Sequence, residues 1–287
     1  MNPPPTSTRH YRLLNVFTQG GRALSGNALC VFEDGLGLDD ATMQALARQF
    51  NLSETTFLLP SSLANARVRI FTPSYELPFA GHPTLGTAAV CRALGLAQDT
   101  LSLEMKAGVV PVFAQGERWT LSAPAPSWRE PELPRAQLAQ LLGLGEAELL
   151  DRPLWVRTGS EQLIVPLASE SAVRRAVVQP AAFEKLRSAD GAAMVYVFAL
   201  PSAQRAVARF FFPQGTSVLE DPATGSACAN LGGWWLAMGR ALPCDLVISQ
   251  GEQIGRPSSL YLSIDLDRQI RVGGEVIELG RGILDQF

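Results

Sequence analysis

The chain is poor in the residues that most often carry chemistry. It has 2 histidines and 4 cysteines in 287 residues. His10 lies in a Pro/Thr/Ser-rich opening stretch, which leaves His82 as the one histidine of the folded body. Cys30, Cys91, Cys228 and Cys244 are scattered, with no C-x-x-C spacing. A zinc site of histidine and cysteine is therefore not expected, and the cysteines read as reduced thiols of a cytoplasmic protein. No apolar run approaches the roughly 18 residues that a membrane helix needs. No Gly-rich dinucleotide fingerprint and no P-loop follows a strand-like run. The net charge of -3 supplies no basic footprint for nucleic acid. Met1–Arg12 has no apolar core for a secretory signal and reads as a disordered lead-in.

What the chain does have is a repeat, at a spacing of about 140 residues. Val68-Arg69-Ile70-Phe71-Thr72-Pro73 returns as Ala208-Arg209-Phe210-Phe211-Phe212-Pro213. His82-Pro83-Thr84-Leu85-Gly86-Thr87-Ala88 matches Asp221-Pro222-Ala223-Thr224-Gly225-Ser226-Ala227. Val16-Phe17-Thr18 has a weaker echo in Val156-Arg157-Thr158. A period this long implies two similar domains, and 47% hydrophobic residues suffice for two cores. The copies differ where a site would form, with histidine in one and aspartate in the other. One site between two pseudo-symmetric halves is the expectation.

Periodicity fills in the elements. Strands are expected at Arg12–Phe17, Asn27–Glu33, Glu54–Leu59 and Ala66–Phe71, the last alternating Val68 and Ile70 against Arg67 and Arg69. Leu38–Asn51 has helical spacing, with Asp39 or Asp40 as its start. Thr84–Leu94 is a short helix ended by Gly95. Strands follow at Leu101–Met105, Val109–Phe113 and Trp119–Ser122. Ala123–Pro134 is proline-rich and reads as the linker. In the second half, helices are expected near Arg135–Leu142, Ala181–Arg187 and Ala223–Met238. The strands are Leu154–Thr158, Gln162–Pro166, Ala193–Ala199, Ala206–Phe212, Leu246–Ser249, Ser259–Asp265, Gln269–Gly273 and Glu275–Leu279. The last is expected to return to the first domain, giving domains of 1-125 plus 275-287 and of 126-274.

The two Pro-started helices are the candidate chemistry. Proline is tolerated as first helical residue, which makes His82 and Asp221 the N-caps. Gly86 and Gly225 would leave the first turn bare, so that exposed N–H groups and the positive helix end could hold a carboxylate. An Asp-Pro-x-Thr-Gly start serves equally as an ordinary capped helix. A pKa near 6.5 suits His82 to proton transfer, though a lone histidine is as readily a structural hydrogen-bonder. Glu54 opens an apolar strand and could be solvated or functional. Cys91 and Cys228 fall inside the helices as small buried hydrophobes. Gly255-Arg256-Pro257-Ser258 binds an anion or turns the chain, and Trp234-Trp235 after Gly232-Gly233 fills the second core.

Asn51-Leu52-Ser53-Glu54-Thr55, Pro78-Phe79-Ala80-Gly81-His82-Pro83-Thr84-Leu85-Gly86, Glu220-Asp221-Pro222-Ala223-Thr224-Gly225-Ser226-Ala227 and Gly255-Arg256-Pro257-Ser258 together resemble the phenazine-biosynthesis PhzF-like family. The resemblance runs from about Tyr11 to the end of the chain, with the motifs in the family's order. It implies an α+β fold of two pseudo-symmetric diaminopimelate epimerase-like domains, each a β-barrel-like sheet around a central helix. It implies Glu54 as the proton-transfer carboxylate, with His82, Asp221 and Ser226 around the substrate. Gly81 and Gly225 take the backbone anion-binding positions. Asn27, in Ser25-Gly26-Asn27-Ala28, matches a Gly-Asn-Pro motif with alanine in place of proline. Diaminopimelate epimerases carry a cysteine at each helix start, and this chain has none there. The expected protein is a cytoplasmic homodimer and a cofactor-free isomerase of a small carboxylate, with no metal, nucleic acid or membrane partner. An amino-acid-type epimerase or racemase, and a small-acid binding protein without turnover, are the alternatives.

Overall fold

The computed structural model describes residues 8–183, 185–191 and 193–285. In chain order the strands and helices are β1 (Arg9–Val16), β2 (Asn27–Phe32), α1 (Asp40–Phe50), β3 (Glu54–Leu59), β4 (Ala66–Phe71), β5 (Glu76–Leu77), α2 (Gly81–Ala93), β6 (Thr100–Met105), β7 (Gly108–Gln115) and β8 (Arg118–Ser122). Then come β9 (Ser127–Arg129), α3 (Arg135–Leu141), β10 (Leu154–Arg157), β11 (Glu161–Pro166), α4 (Glu170–Arg175), α5 (Pro180–Phe183), β12 (Val195–Ser202), β13 (Arg205–Gln214), β14 (Ser217–Asp221), α6 (Gly225–Ala237), β15 (Cys244–Gln250), β16 (Ser258–Ile264) and β17 (Ile270–Leu284). The chain forms two compact units. One holds the described residues up to Leu121 together with those from Gly274 on, and the other holds Ser122–Gly273.

The first unit is a closed ring of 8 strands. From β1 it runs through β2, β3, β4, β6, β7 and β8, and the C-terminal part of β17 pairs with both β1 and β8. Closure removes the exposed sheet edge. β2/β3 and β4/β6 are parallel, and the chain uses α1 and α2 to cross over between them. Helix α2 lies within the ring. Its residues from His82 to Ala88, and Val90 and Cys91, are all buried. A helix buried on nearly every side is a core helix. Helix α1 is amphipathic instead. Its Met43, Leu46 and Ala47 join Phe32, Phe57 and Phe71 in a second cluster outside the ring, where Phe32 and Phe57 stack at 4.8 Å.

The second unit repeats the first. β9 pairs with β10, and the ladder continues through β11, β12, β13, β15, β16 and the first residues of β17. The ends approach where Ala123 N–H donates to the Ile270 carbonyl at 2.9 Å. β11/β12 and β13/β15 are the parallel pairs. Helix α6 has 13 residues like α2, and is buried from Ala227 to Leu236. Trp234 and Trp235 fill this core as expected. Gly232 and Gly233 let the wall come close, since a Cβ would stand 2.9 Å from Ile270 Cγ2 and 2.6 Å from Val156 Cγ1 respectively.

Several expectations need correction. The expected lead-in falls partly outside the described residues, and Arg9 to Arg12 are already strand, paired with β17. Buried Arg12 explains why: it bonds Glu33 at 2.5 Å and Glu278 at 2.8 Å, joining β17 to β1. The linker contains β9. Gln269–Gly273 and Glu275–Leu279 are one continuous strand. The expected helix at Ala181–Arg187 is only Pro180–Phe183 among the described residues, and Glu184 lies outside them. The short elements β5, β14 and α4 were not expected.

The repeat also has a different register at its end. Arg69 forks onto Glu76, with contacts of 2.8 and 2.9 Å, and lies 5.0 Å over the Phe71 ring. Arg209 does the same with Glu220 at 2.7 Å and with Phe211 at 4.6 Å. Phe71 faces Glu76 and Ile70 faces Leu77, just as Phe211 faces Glu220 and Phe210 faces Asp221. Asp221 is therefore the counterpart of Leu77, and Pro222 of Pro78. The two helices then begin together, Gly81-His82 opposite Gly225-Ser226. Histidine matches serine, and not aspartate. The longer hairpin between β13 and β14 displaces the register.

Candidate active site

In the first unit the parallel pair β2/β3 sets Leu29 beside Glu54. Just before them, Ser53 Oγ donates to Asn27 Oδ1 at 3.1 Å, with Asn27 buried. Two residues further along β3, Thr56 and Thr87 share a buried hydroxyl contact of 2.9 Å. That contact ties β3 to α2 and fixes where Glu54 meets the helix start. There His82 Nε2 lies 3.2 Å from Glu54 Oε2, the side chains 7% and 16% exposed. The separation is that of an ion pair, yet Nε2 makes no hydrogen bond of good geometry. Burial pushes the imidazole pKa down to about 3, only partly opposed by the ring's hydrogen bond to the Ala28 backbone. The ring is therefore neutral at pH 7. With its other nitrogen on Ala28, Nε2 presents a lone pair toward the carboxyl group.

His82 is not an N-cap. Helix α2 begins at Gly81, with Ala80 as the N-cap and no side-chain cap. Pro83 is the third helical residue, where its missing N–H still has no intrahelical partner to lose. Thr84 N–H makes the first helical bond, to Ala80 at 3.2 Å. The first-turn amides of Gly81 and His82 thus carry no side-chain cap. Gly86 serves another purpose than the one expected. Its missing Cβ would stand 2.4 Å from Leu29 Cδ2 and 2.9 Å from Val16 Cγ2, so it lets the helix lie against the ring.

In the second unit Asp221 likewise is not a cap. It ends β14, and Thr224 is the N-cap of α6. The Thr224 hydroxyl donates to Asp221 Oδ2 instead of capping the helix. Gln250, buried at the end of β15, donates to the Asp221 carbonyl at 2.9 Å and to Thr224 Oγ1 at 3.0 Å. Gly251 follows with φ 79°, and a Cβ there would stand 2.5 Å from the Pro222 carbonyl oxygen. Ser226, second in the helix, accepts from Gln162 Nε2 at 2.8 Å. Gln162 Oε1 in turn accepts from Asn230 at 2.9 Å, and Asn230 Oδ1 accepts from the Thr158 backbone and hydroxyl, both at 2.8 Å. This chain fixes every donor direction, so the Ser226 proton points away from Gln162.

The first unit thus brings together Glu54, His82, Gly81 and Asn27, and the second brings together Asp221, Gly225 and Ser226. Gln162, Asn230, Thr224 and Gln250 had not been singled out. Gln162 pairs with Val156 as Asn27 pairs with Val16, so the ladders, and not the spacing in the sequence, place it at Asn27's position. Gly255 has φ 71° and ends a short turn. Cys91 and Cys228 are fully buried, and burial pushes their thiols up, Cys91 to about 12. They are packing groups and not thiolates. Among the described residues, no group of three or more His, Cys, Asp or Glu is arranged to hold a metal ion, and no helix is long and apolar enough to cross a membrane.

A closed ring of strands in the first unit and a matching ladder of strands in the second, each with a buried helix that carries polar residues at its start, define an α+β fold of the diaminopimelate epimerase-like kind. The phenazine biosynthesis-like family model, PhzC-PhzF, matches residues 14–281, and the chain belongs to that family. An isomerase of Pasteurella multocida, itself described as uncharacterized, is 40% identical over 96% of this chain and 93% of its own. The trans-2,3-dihydro-3-hydroxyanthranilate isomerase of Pseudomonas aeruginosa is 37% identical over 83% of this chain and 84% of its own. A PhzF-family phenazine biosynthesis protein of Bacillus anthracis superposes with a TM-score of 0.85 at 25% identity, covering 97% of this chain and 99% of the other. The chain is an isomerase of this family.

Proposed function

We propose that this isomerase moves a proton between two carbon atoms of a small, cyclic, amino-bearing carboxylic acid, with Glu54 as the proton carrier. The observation that carries the reading is the sheltered Glu54–His82 contact of 3.2 Å at the start of a core helix. A carboxylate held there can act as base and then, once protonated, as acid. It takes a C–H proton, the C–H electron pair becomes part of a shifted double bond, and the same proton or an exchanged one closes a new C–H bond. The formula of the molecule is unchanged, and no external oxidant or reductant is needed.

The other roles follow from the surroundings of each group. His82 is neutral and its Nε2 is a lone pair, so it accepts from Glu54 when the carboxyl is protonated and holds that proton in place. The amides of Gly81 and Gly225, at helix starts without a side-chain cap, suit an anion. Ser226 donates to a substrate oxygen, since Gln162 already occupies one acceptor site of its hydroxyl. Asp221 accepts from a substrate hydroxyl or amino group. Asn27 braces Ser53 and so Glu54. The protein works as a cytoplasmic homodimer and needs no cofactor.

A two-base epimerase needs an acid and a base on opposite faces of one carbon. The matched positions of the two helix starts hold His82 and Ser226, and a serine hydroxyl does not serve as a proton donor or acceptor of matched strength at neutral pH. This favours a single proton carrier. The test is turnover of trans-2,3-dihydro-3-hydroxyanthranilate by the purified chain, followed by NMR. Appearance of a double-bond isomer supports the reading. Inversion of a stereocentre without migration of a double bond overturns it.

A further inference from the structure

The turn that leads into the core helix is built twice, and the two copies hold it by different means. Ladder registers define the matched residues. Ala66 faces Leu103 and Arg67 faces Glu104, while Ala206 faces Ile248 and Val207 faces Ser249. Met105 and Gln250, next along, therefore occupy one position. Leu77 matches Asp221, and Ala80 matches Thr224, both of these last two being N-caps. The first unit closes its turn with Leu77, Ala80 and Met105. There the Thr84 hydroxyl donates to the Ala80 carbonyl at 2.7 Å and lies 3.6 Å from the Met105 sulfur, and the side chains of residues 77, 80 and 105 supply no polar chain like that of the second unit. The second unit closes the same turn with Asp221, Thr224 and Gln250.

The first unit is an internal control: the backbone turn forms without the polar set. Burying a glutamine amide is costly unless its groups are hydrogen-bonded. Gln250 is 1% exposed, and its amide groups are used on this turn. Its Nε2 donates to the Asp221 carbonyl at 2.9 Å and to Thr224 Oγ1 at 3.0 Å, and its Oε1 accepts from Thr224 N–H at 3.4 Å. Thr224 has a single hydroxyl proton, which goes to Asp221 Oδ2. The chain of donors runs one way, from Gln250 through Thr224 to the carboxylate. The first unit's Leu77 has no charge to orient, and there the chain is missing.

From this we infer that Gln250, acting through Thr224, is a positioning residue that holds the Asp221 carboxylate in one orientation and keeps Oδ2 an acceptor. The inference rests on the proposed role of Asp221 toward substrate.

The test writes the first unit's residues into the second, as Gln250→Met and Thr224→Ala, with Thr224→Ser as the conservative variant and Asp221→Asn as the reference. The full chain is assayed with trans-2,3-dihydro-3-hydroxyanthranilate and melted in parallel. Q250M and T224A are expected to melt within a few degrees of the parent and to lose about tenfold in kcat, the scale of one charge-assisted hydrogen bond. KM should change less. T224S should recover most of the rate, and Q250M combined with D221N should be no slower than D221N alone. Parent-like turnover by D221N overturns the role of Asp221 itself. A slow D221N beside Q250M and T224A at parental rate overturns the positioning role, as does a T224S no faster than T224A. Crystal structures of Q250M and T224A give a readout that needs no substrate. The Asp221 carboxylate is expected to swing away from residue 224, and an unmoved carboxylate in both variants overturns the inference.

Discussion

His82 Nε2 sits 3.2 Å from Glu54 Oε2, and burial keeps the imidazole neutral. The pair is held from two sides, by the strand that Glu54 opens and by the helix that begins one residue before His82. Glu54→Gln keeps the shape of the side chain and removes its proton chemistry. The expected outcome is an intact fold, checked by circular dichroism and melting, with turnover lowered at least about a hundredfold. A glutamine variant of near-parental rate removes Glu54 from the mechanism.

The buried imidazole also sets a pH dependence of stability. Unfolded, it titrates near 6.5, whereas in the folded chain it is held down to about 3. Between those values the unfolded chain binds a proton that the folded chain refuses. This contribution is therefore fully present above about 6.5 and is lost as pH falls toward 3. The carboxylates of Glu76, Glu161 and Glu278, held below their ordinary 4.5, act in the same direction only in more acid solution. Denaturant unfolding at a series of pH values should give stability that rises from pH 4.5 to 6.5. His82→Asn should flatten that rise. An unchanged slope in the variant means that another group causes it.

Gly86 separates packing from chemistry. A Cβ there meets Leu29 Cδ2 at 2.4 Å and Val16 Cγ2 at 2.9 Å. Gly86→Ala adds helix propensity but overpacks the contact of α2 with the ring, and the net expected loss is about 1–3 kcal/mol. Gly95→Ala is no fair control, because Gly95 has φ 73°. Melting of G86A above the parent would mean that Leu29 and Val16 move aside at no cost.

Much of this was legible in the sequence because it is local. The alternation of Val68 and Ile70 against Arg67 and Arg69 gave β4 its bounds, and the apolar run after Glu54 gave β3 its own. Both core helices were found, and so was the repeat. The register of the repeat was not. Two prolines, Pro78 and Pro83, stand near the first helix start, and a proline is sterically acceptable in a turn or in a first helical turn. Only the ladder contacts of Phe71 with Glu76 and of Phe211 with Glu220 decide which one matches Pro222. Gln162 and Gln250 were missed because each acts on a residue far along the chain. Gln250 reaches back to Asp221 across the whole of α6, and no local pattern marks a glutamine at the end of a strand as such a brace.

The fate of the transferred proton gives the last prediction. A single carboxylate that takes and returns a proton while shielded from water competes with exchange of that proton. Turnover in heavy water should therefore place deuterium at the newly protonated carbon in part only, read by mass spectrometry and NMR of the product. Full incorporation from the first turnover would mean a carrier open to solvent, and a deuterium content of zero would mean return faster than any exchange. Either extreme changes the picture of Glu54, which is sheltered yet 16% exposed in its side chain. The same preparation should keep its activity through exhaustive chelation, because the proposed steps use only Glu54, His82 and the hydrogen-bonding groups of Gly81, Asp221, Gly225 and Ser226. Activity lost to the chelator and restored by one divalent cation would replace the carboxylate-only scheme with a metal-assisted one, while leaving the family assignment untouched.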